Sequence, residues 1–546
     1  MPKIQAYKGG GGRITWDQDD FVGGLHPLYS SSLVPLRYFN NTIAFGQSFD
    51  PYRNLGSLSP GFNPISVPNA TVIQNFLRQG VVNGDYLYVI ENGPRIQRVS
   101  MNLITFPVTT PAFHTISAHG GHTDVVGNDM TLYTANVSGT PTLCAFYSWN
   151  DNTDWDVGRY TFSAFDDDFM TTVPAGTLLS GATTPTLASG QSSTHPLAVG
   201  HDDVLYIGDN SYVHAYDGNQ GTNGTFAIEA LKLPSGFRVT AMCKLQPYYM
   251  AVFAFRPSSF NGTGSGSSYQ YGESICALWN YVDQDPEVVI DLADNYVSEA
   301  IAYKSTVVCF TQGRLPDISA DSLMSKVQIY NGSNFDVVTS FHGDVPIRGG
   351  AEVAGDIIRW NSRGVMHSWG APFPGLPSVL NRTNKGLGTS SGFLRSVNPA
   401  FAGTFMSSGA GEAGGLESFR IQMREQTMVA LTVGAPSFED GKRGRVSSVT
   451  IEFAKTNSST NTLRLRTYLR DSDGGSMEVF NVTGVTATDL IMKRNFSTGD
   501  ANNQILPPFN EIYPVFDWTL GDGSPVNAPI IRKLVVEYED VNLTST

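Results

Sequence analysis

Residues 83–99 read Asn-Gly-Asp-Tyr-Leu-Tyr-Val-Ile-Glu-Asn-Gly-Pro-Arg-Ile-Gln-Arg-Val, and residues 201–218 read His-Asp-Asp-Val-Leu-Tyr-Ile-Gly-Asp-Asn-Ser-Tyr-Val-His-Ala-Tyr-Asp-Gly. Both stretches have the same layout: a polar turn, an apolar strand of four or five residues, a tight Asn-rich turn, and a strand of alternating character. Two short strands joined by such a turn indicate a β-hairpin. The same hairpin is therefore predicted at two distant places in the chain.

Four weaker copies of this hairpin start at Asn128, Tyr248, Thr306 and Gly355. The first strands of all six hairpins begin near residues 86, 130, 204, 248, 306 and 356, about 44 to 74 residues apart. A four-stranded propeller blade needs about 40–50 residues. The longer gaps have room for insertions, for which 150–195 and 257–272 are the candidates.

The apolar run Val204–Ile207 does not alternate with polar residues, which is typical of a strand buried on both faces. One small sheet cannot bury both of its faces, so such sheets stack around an axis until the ring closes. The sequence predicts an all-β fold with a six- or seven-bladed β-propeller over residues 46–435. A seventh blade would be closed by the chain ends, for instance Arg37–Gln47 with part of 385–430. The alternative is an ordinary sandwich built from repeated hairpins.

The pattern changes from about residue 440. Val446–Phe453 and Thr462–Leu469 alternate between apolar and polar residues, as strands with one solvated face do. This predicts a C-terminal antiparallel β-sandwich over residues 440–546. Residues 1–45 are expected to form an arm, in which Ile14–Trp16 is a short strand that pairs elsewhere.

The composition excludes several classes of protein. Charged residues make up 15% of the chain and the net charge is −14, with no basic stripe, so sequence-specific binding of nucleic acid is not expected. The four cysteines lie among apolar residues and are predicted to be buried thiols. Neither a signal peptide nor a membrane span is expected, since no apolar run is long enough for either. A Gly-, Asn- and Thr-rich chain without an export signal fits a virion protein assembled in the host cytoplasm.

Few residues suggest chemistry. His119, His122 and Asp124 have ligand types that suit a transition metal, although an inter-strand loop is the favoured interpretation. Gly388–Gly392 matches G-x-S-x-G but lacks the strand and helix that a nucleophile elbow needs.

Two further groups of residues have side chains of types that can bind ligands. Asp166–Asp168 is expected to be a solvated loop rather than a calcium site, because the ordered spacing of a calcium loop is missing. Trp149 and Trp155 are candidates for stacking on sugars, whereas Trp360 and Trp369 are expected in the core. No catalytic residue and no cofactor is predicted, so the chain is not expected to be an enzyme.

Residues 16–27 read Trp-Asp-Gln-Asp-Asp-Phe-Val-Gly-Gly-Leu-His-Pro. This segment resembles the D-F-x-G-G-L opening of tailed-bacteriophage tail and nozzle-type proteins, although His26-Pro27 stands where Asn-Thr is usual. The closing segment 531–538 is similar to the last strand of their terminal sandwich. The resemblance implies a propeller after the arm and a ring of identical subunits around the tail channel, with no catalytic residues to transfer.

The sequence therefore leads to the expectation of a structural virion protein: a nozzle, hub or baseplate/adaptor protein that forms a homo-oligomeric ring with other tail proteins. The alternative is a virion protein that binds a receptor or host surface glycan. A propeller glycoside hydrolase is a third reading, for which no carboxylate pair can be named.

Overall fold

The computed structural model describes part of the chain. The described residues are 13–18, 43–47, 62–66, 77–91, 93–100, 112–116, 125–150, 155–172, 195–257, 272–292, 296–312, 324–342, 345–346, 348–362, 365–371, 378–382, 394–398, 403–407, 416–424, 427–432, 442–455, 463–471, 476–483, 491–495, 512–520 and 530–542.

The described residues form short strands and one helical turn. Strands β1 to β7 are Arg13–Gln18, Ile43–Gln47, Phe62–Ser66, Leu77–Asn83, Tyr86–Glu91, Arg95–Ser100 and Ala112–Thr115. Strands β8 to β11 are Val126–Val137, Thr140–Asn150, Trp155–Tyr160 and Phe165–Asp166, and α1 is Phe169–Thr172. Strands β12 to β19 are Leu197–Val199, Leu205–Asp209, Tyr212–Asp217, Thr225–Lys232, Arg238–Leu245, Tyr249–Pro257, Gly272–Trp279 and Val288–Leu292.

The remaining strands continue to the C-terminal part of the chain. Strands β20 to β27 are Tyr296–Tyr303, Thr306–Gln312, Met324–Tyr330, Phe335–His342, Ala351–Ala354, Ile357–Ser362, Val365–Gly370 and Val379–Arg382. Strands β28 to β37 are Leu394–Asn398, Gly403–Ser407, Leu416–Arg424, Thr427–Thr432, Lys442–Lys455, Leu463–Asp471, Ser476–Thr483, Ile491–Asn495, Ile512–Leu520 and Ile530–Asn542.

The fold is all-β, and most of the sheets are four-stranded meanders in which each strand pairs with the next. We number them along the chain: sheet 1 is β4–β7, sheet 2 is β8–β11, sheet 3 is β12–β15, sheet 4 is β16–β19, sheet 5 is β20–β23 and sheet 6 is β24–β27. Sheet 7 has the order β28-β29-β30-β3. Successive four-stranded meanders are the repeating unit of a β-propeller. The predicted all-β propeller class is therefore confirmed, whereas the number of blades and the sandwich stay predictions.

The first strands of successive sheets lie against one another. Contacts join β4 to β8, β8 to β12, β12 to β16, β16 to β20, β20 to β24 and β24 to β28. Buried side chains fill the space between neighbouring sheets, for example between sheets 3 and 4, where Tyr206 and Val213 pack with Met242, Val252 and Trp279. Each sheet therefore covers a face of the next, as the non-alternating apolar strands predicted.

Sheet 7 takes its fourth strand from the N-terminal part of the chain. An N-terminal strand does complete a sheet formed by later residues, as predicted, but it is a different strand from the one predicted. Phe62–Ser66 joins β28–β30, whereas Ile43–Gln47 pairs antiparallel with β31. The sequence did not show which segment joins which sheet, because both are strands of five residues whose partners are hundreds of residues away.

Five of the six predicted hairpins are the second and third strands of their sheets, as in β5–β6 and β13–β14. The exception starts at Asn128 and is formed by β8 and β9, the first and second strands of sheet 2. Middle strands have neighbours on both edges and both faces, so their apolar runs are the strongest sequence signal.

The chain divides into two compact units. One comprises Ile65–Gly364 and Gly386–Ser418. The other comprises Met1–Pro64, Val365–Lys385 and Phe419–Thr546, and it contains the sheets β1-β37-β32-β35 and β2-β31-β36-β33-β34. Within the latter, β1 pairs antiparallel with β37, with Trp16 opposite Val536. The strand predicted at Ile14–Trp16 is thus present.

Candidate functional site at the centre of the propeller sheets

The predicted metal ligands His119, His122 and Asp124 lie outside the described residues. Their neighbour His114 is described: its Nε2 lies 2.8 Å from the Asp167 carboxylate and its ring stacks on Phe165 at 3.7 Å. In the described part of the chain, no group of three His, Cys, Asp or Glu residues could hold a metal ion.

The acidic run 166–168 is not simply a solvated loop. The side chain of Asp167 is 8% exposed, and it accepts hydrogen bonds from the Tyr147 hydroxyl and His114. Burial raises the pKa of Tyr147 well above its usual value, and the negative charge of Asp167 raises it further. Asp167 therefore links two strands and a loop, which a run of three aspartates alone did not indicate.

The tryptophans proposed as sugar platforms are not at the surface. Trp149 and Trp155 are buried, and Trp155 stacks on the His195 ring at 3.9 Å. Trp360 is also buried, as predicted, whereas Trp369 is half-buried. All four cysteines are buried free thiols, which confirms that prediction.

A charge cluster that the sequence analysis missed occupies the centre of the meander sheets. Arg348 precedes β24, and its guanidinium spans three other sheets. Its Nε donates to Asp129 Oδ2 at 2.8 Å, its Nη1 to Glu299 Oε1 at 2.8 Å and its Nη2 to the Leu197 carbonyl at 3.1 Å. These partners lie in β8, β20 and β12, so one side chain connects sheets 2, 3 and 5.

Gly349, the next residue, extends the same connection through its backbone. Its amide donates to Glu299 Oε2 at 2.5 Å, and its carbonyl accepts from the Leu394 amide at 3.0 Å. Its φ is +78°, and a Cβ would lie 2.3 Å from the Arg78 carbonyl oxygen and 2.7 Å from Gln79 Cα. The close approach to β4 and the left-handed backbone both require glycine here.

Three inner strands use the same local device. The side-chain oxygens of Gln79, Asp129 and Glu299 each accept from the amide of the following residue, at 3.0, 2.8 and 2.9 Å. Each of these residues lies beside an irregularity in the pairing of its strand with the next. A bulge removes amides from the ladder, and these side chains satisfy them while facing the centre.

Electrostatics favour a charged Arg348. Burial alone would lower the pKa of Arg348, but the carboxylates of Asp129 and Glu299 raise it overall. Burial raises the pKa of Glu299 above its usual value, although Arg348 and the Gly349 amide oppose this. The guanidinium is thus the group that keeps two buried carboxyl groups compensated.

A cavity of about 360 Å³ adjoins the cluster. Its polar lining comes from β4, β16, β20, β24, β28 and the segment before β24: Gln79, Cys243, Glu299, Glu352, Arg348 and Arg395. Burial raises the pKa of the Cys243 thiol, so this thiol stays protonated and is a poor nucleophile. Both oxygens of Glu299 already accept hydrogen bonds. The arrangement suits holding strands together and binding a small polar molecule.

Comparisons with known proteins give no family. No protein family and no curated protein matches the chain. Among solved structures, the Dos1 propeller aligns with a TM-score of 0.40 and 10% identity over 66% of this chain and 95% of its own. The N-terminal domain of Nup159 aligns at 0.36 and 9% identity over 66% and 95%, and Drosophila Semaphorin 2a at 0.38 and 8% over 83% and 97%. TM-scores this low do not establish a shared fold. The fold assignment rests instead on the order of the strands in the sheets.

One sequence signal could have revealed the cluster. The acidic side chains of Asp129 and Glu299 each interrupt a strand directly before an apolar residue, Met130 and Ala300. Buried carboxylates require a partner, so such interruptions predict a cation. The sequence did not show which residue supplies that cation, because Arg348 lies in a Gly-rich turn whose composition is typical of a protein surface.

No helix in the described part of the chain has the length and apolar character that a membrane crossing requires.

Proposed function

We propose that the chain is a structural component of a tailed-phage virion, a nozzle, hub or baseplate/adaptor protein of the tail that assembles as a homo-oligomeric ring. In this proposal sheets 1–7 are seven blades, sheet 7 is closed by β3, and the two sheets near the C-terminus form the predicted sandwich. The protein is made in the host cytoplasm and incorporated into the particle.

The charge cluster around Arg348 is the observation that supports a structural role. Its charged groups form hydrogen bonds with one another and with the backbone of other sheets. A charged residue that cross-links several sheets opposes their separation. This is the property required of a subunit that bears mechanical load in a tail.

Two measurements test the proposal. Native mass spectrometry of the purified full-length chain is expected to give a closed homo-oligomer with a single subunit number. Mass spectrometry of purified virions of the phage that encodes the chain is expected to detect it in integer proportion to other tail proteins. A chain that stays monomeric and is absent from virions would contradict the proposal.

A receptor- or glycan-binding virion protein remains the second candidate, and one surface feature favours it. Tyr248 is 73% exposed, and its ring lies 6.3 Å from that of His201, which lies equally far from Tyr281. Exposed aromatic rings stack on sugars. Tyr248→Ala should abolish binding on a glycan array if this surface is the receptor site, whereas Tyr86→Ala, at another exposed tyrosine, should not.

A further inference from the structure

The hydrogen bonds around Arg348 engage the carboxylates of Asp129 and Glu299 with groups of the protein itself. Asp129 Oδ1 accepts from the Met130 amide, and Asp129 Oδ2 accepts from the Leu197 amide and Arg348. The two oxygens of Glu299 accept from Arg348 and from the amides of Ala300 and Gly349. Asp129 and Glu299 therefore each accept three hydrogen bonds from the protein. Glu352, a further buried carboxylate that lines the cavity, is also not without a partner.

Two donor side chains that line the cavity stay unused. Arg395 is half-buried, and its guanidinium has no hydrogen-bond acceptor among the described residues. Gln79 Oε1 accepts from the Gly80 amide at 3.0 Å, which assigns the NH₂ group to the other end of the amide, where it meets no acceptor in the described part of the chain. Both donors are therefore available to a molecule in the cavity.

Gly349 brings the two donors to the same part of the cavity. Its Cα approaches the backbone of Gln79 so closely that a Cβ has no room, and its carbonyl binds the amide of Leu394, the residue before Arg395. Strands β4 and β28 are thereby held on either side of one glycine.

We propose that this cavity binds a small oxyanion, a phosphate or carboxylate group, through the Arg395 guanidinium and the Gln79 amide. A planar guanidinium forms paired hydrogen bonds with such groups, and these are stronger than bonds between neutral partners. About 360 Å³ is enough for a small molecule that bears one anionic group. The binding site is independent of the ring state proposed above.

Isothermal titration calorimetry of the full-length chain with sodium phosphate, and separately with sodium acetate, tests the proposal against sodium chloride at equal ionic strength. Saturable heat is expected with at least one of the two oxyanions and not with chloride. The phosphate and acetate arms show which group the site prefers.

Arg395→Gln is expected to weaken binding at least tenfold, and Arg395→Lys to recover part of it. Gln79→Glu keeps the acceptor for Gly80 but replaces the donor with a negative charge, so it should also weaken binding at least tenfold. Arg98→Gln removes an exposed arginine elsewhere and should bind like the wild-type protein. Circular dichroism on each variant confirms folding.

Absence of saturable heat with both oxyanions would overturn the proposal. So would equal affinity in the wild-type, Arg395→Gln and Gln79→Glu proteins, because the heat would then arise elsewhere.

Discussion

Arg348 Nε lies 2.8 Å from Asp129 Oδ2, although 219 positions separate the two residues in the chain. The side chains are 7% and 1% exposed. The bond joins the start of sheet 6 to the first strand of sheet 2, across the centre of the stacked sheets.

Arg348→Met should therefore cost far more stability than the loss of a surface arginine. Removing one partner of a buried ion pair leaves uncompensated charge and typically costs about 3–5 kcal/mol. Arg256→Met breaks the exposed pair with Glu273 and should cost less than about 1 kcal/mol. Urea unfolding measures both free energies of unfolding. Similar losses in the two variants would contradict a larger stabilising contribution from the buried pair.

Adding Glu299→Gln to Arg348→Met should recover part of the loss, since the double variant removes one buried carboxylate that Arg348 no longer compensates. A double-mutant cycle measures this coupling. Strict additivity of the two single losses would contradict a direct interaction between the two side chains.

Gly349→Ala should destabilise the protein more than Gly355→Ala. Both glycines have positive φ, +78° and +65°, so both variants bear the cost of about 1–2 kcal/mol for a left-handed alanine. Only at Gly349 would the new Cβ meet backbone atoms, while Gly355 has open space. The extra loss should be about 1–3 kcal/mol by thermal or urea unfolding, and equal losses would contradict the close approach to β4.

Acidification should weaken the native state through His195. This histidine is buried, its Nδ1 donates to the Gly208 carbonyl at 3.1 Å, and burial lowers its pKa below the usual 6.5. Between the native and unfolded pKa values the unfolded chain binds more protons, so stability rises with pH. The contribution is complete above pH 6.5 and is lost as pH falls from there towards the native pKa.

The slope from this one group is at most about 1.4 kcal/mol per pH unit. His195→Phe keeps the stacking on Trp155 but cannot titrate, so its stability should change less between pH 7 and pH 5 than that of the wild-type protein. Urea unfolding at several pH values measures the difference, and parallel curves would exclude His195 as the titrating group.

The cysteines should be unreactive in the native state. Burial raises the pKa of Cys144, Cys243 and Cys276, and the thiolate is the reactive form. A disulfide-exchange reagent should label few thiols in buffer and four in denaturant. Rapid labelling of the folded protein would show that a thiol is accessible.

The middle strands of the sheets could be predicted because their consecutive apolar residues indicate burial on both faces. Leu87–Ile90 and Leu205–Ile207 are apolar on consecutive positions and are buried, as strands covered on both faces are. The alternating segment at Ile14–Trp16 likewise indicated a strand, and it pairs with β37.

The candidate site was not predicted, since its members are far apart in the chain. Gln79, Asp129, Glu299 and Arg395 come from four sheets, Arg348 comes from the segment before β24, and none lies in a local motif. The residues that did attract notice, Trp149 and Trp155, proved to be core residues, because an aromatic residue beside polar neighbours looks the same in a turn and in a buried strand.

By itself the sequence determined the all-β class and the repeated hairpins, because strand periodicity and turn residues act over only a few positions. The tertiary structure alone decided which distant strand completes sheet 7 and which arginine compensates the buried carboxylates. Both pairings depend on how whole sheets pack, because packing decides which distant residues come close together and lose their contact with water. Residues that are neighbours in the sequence do not determine this.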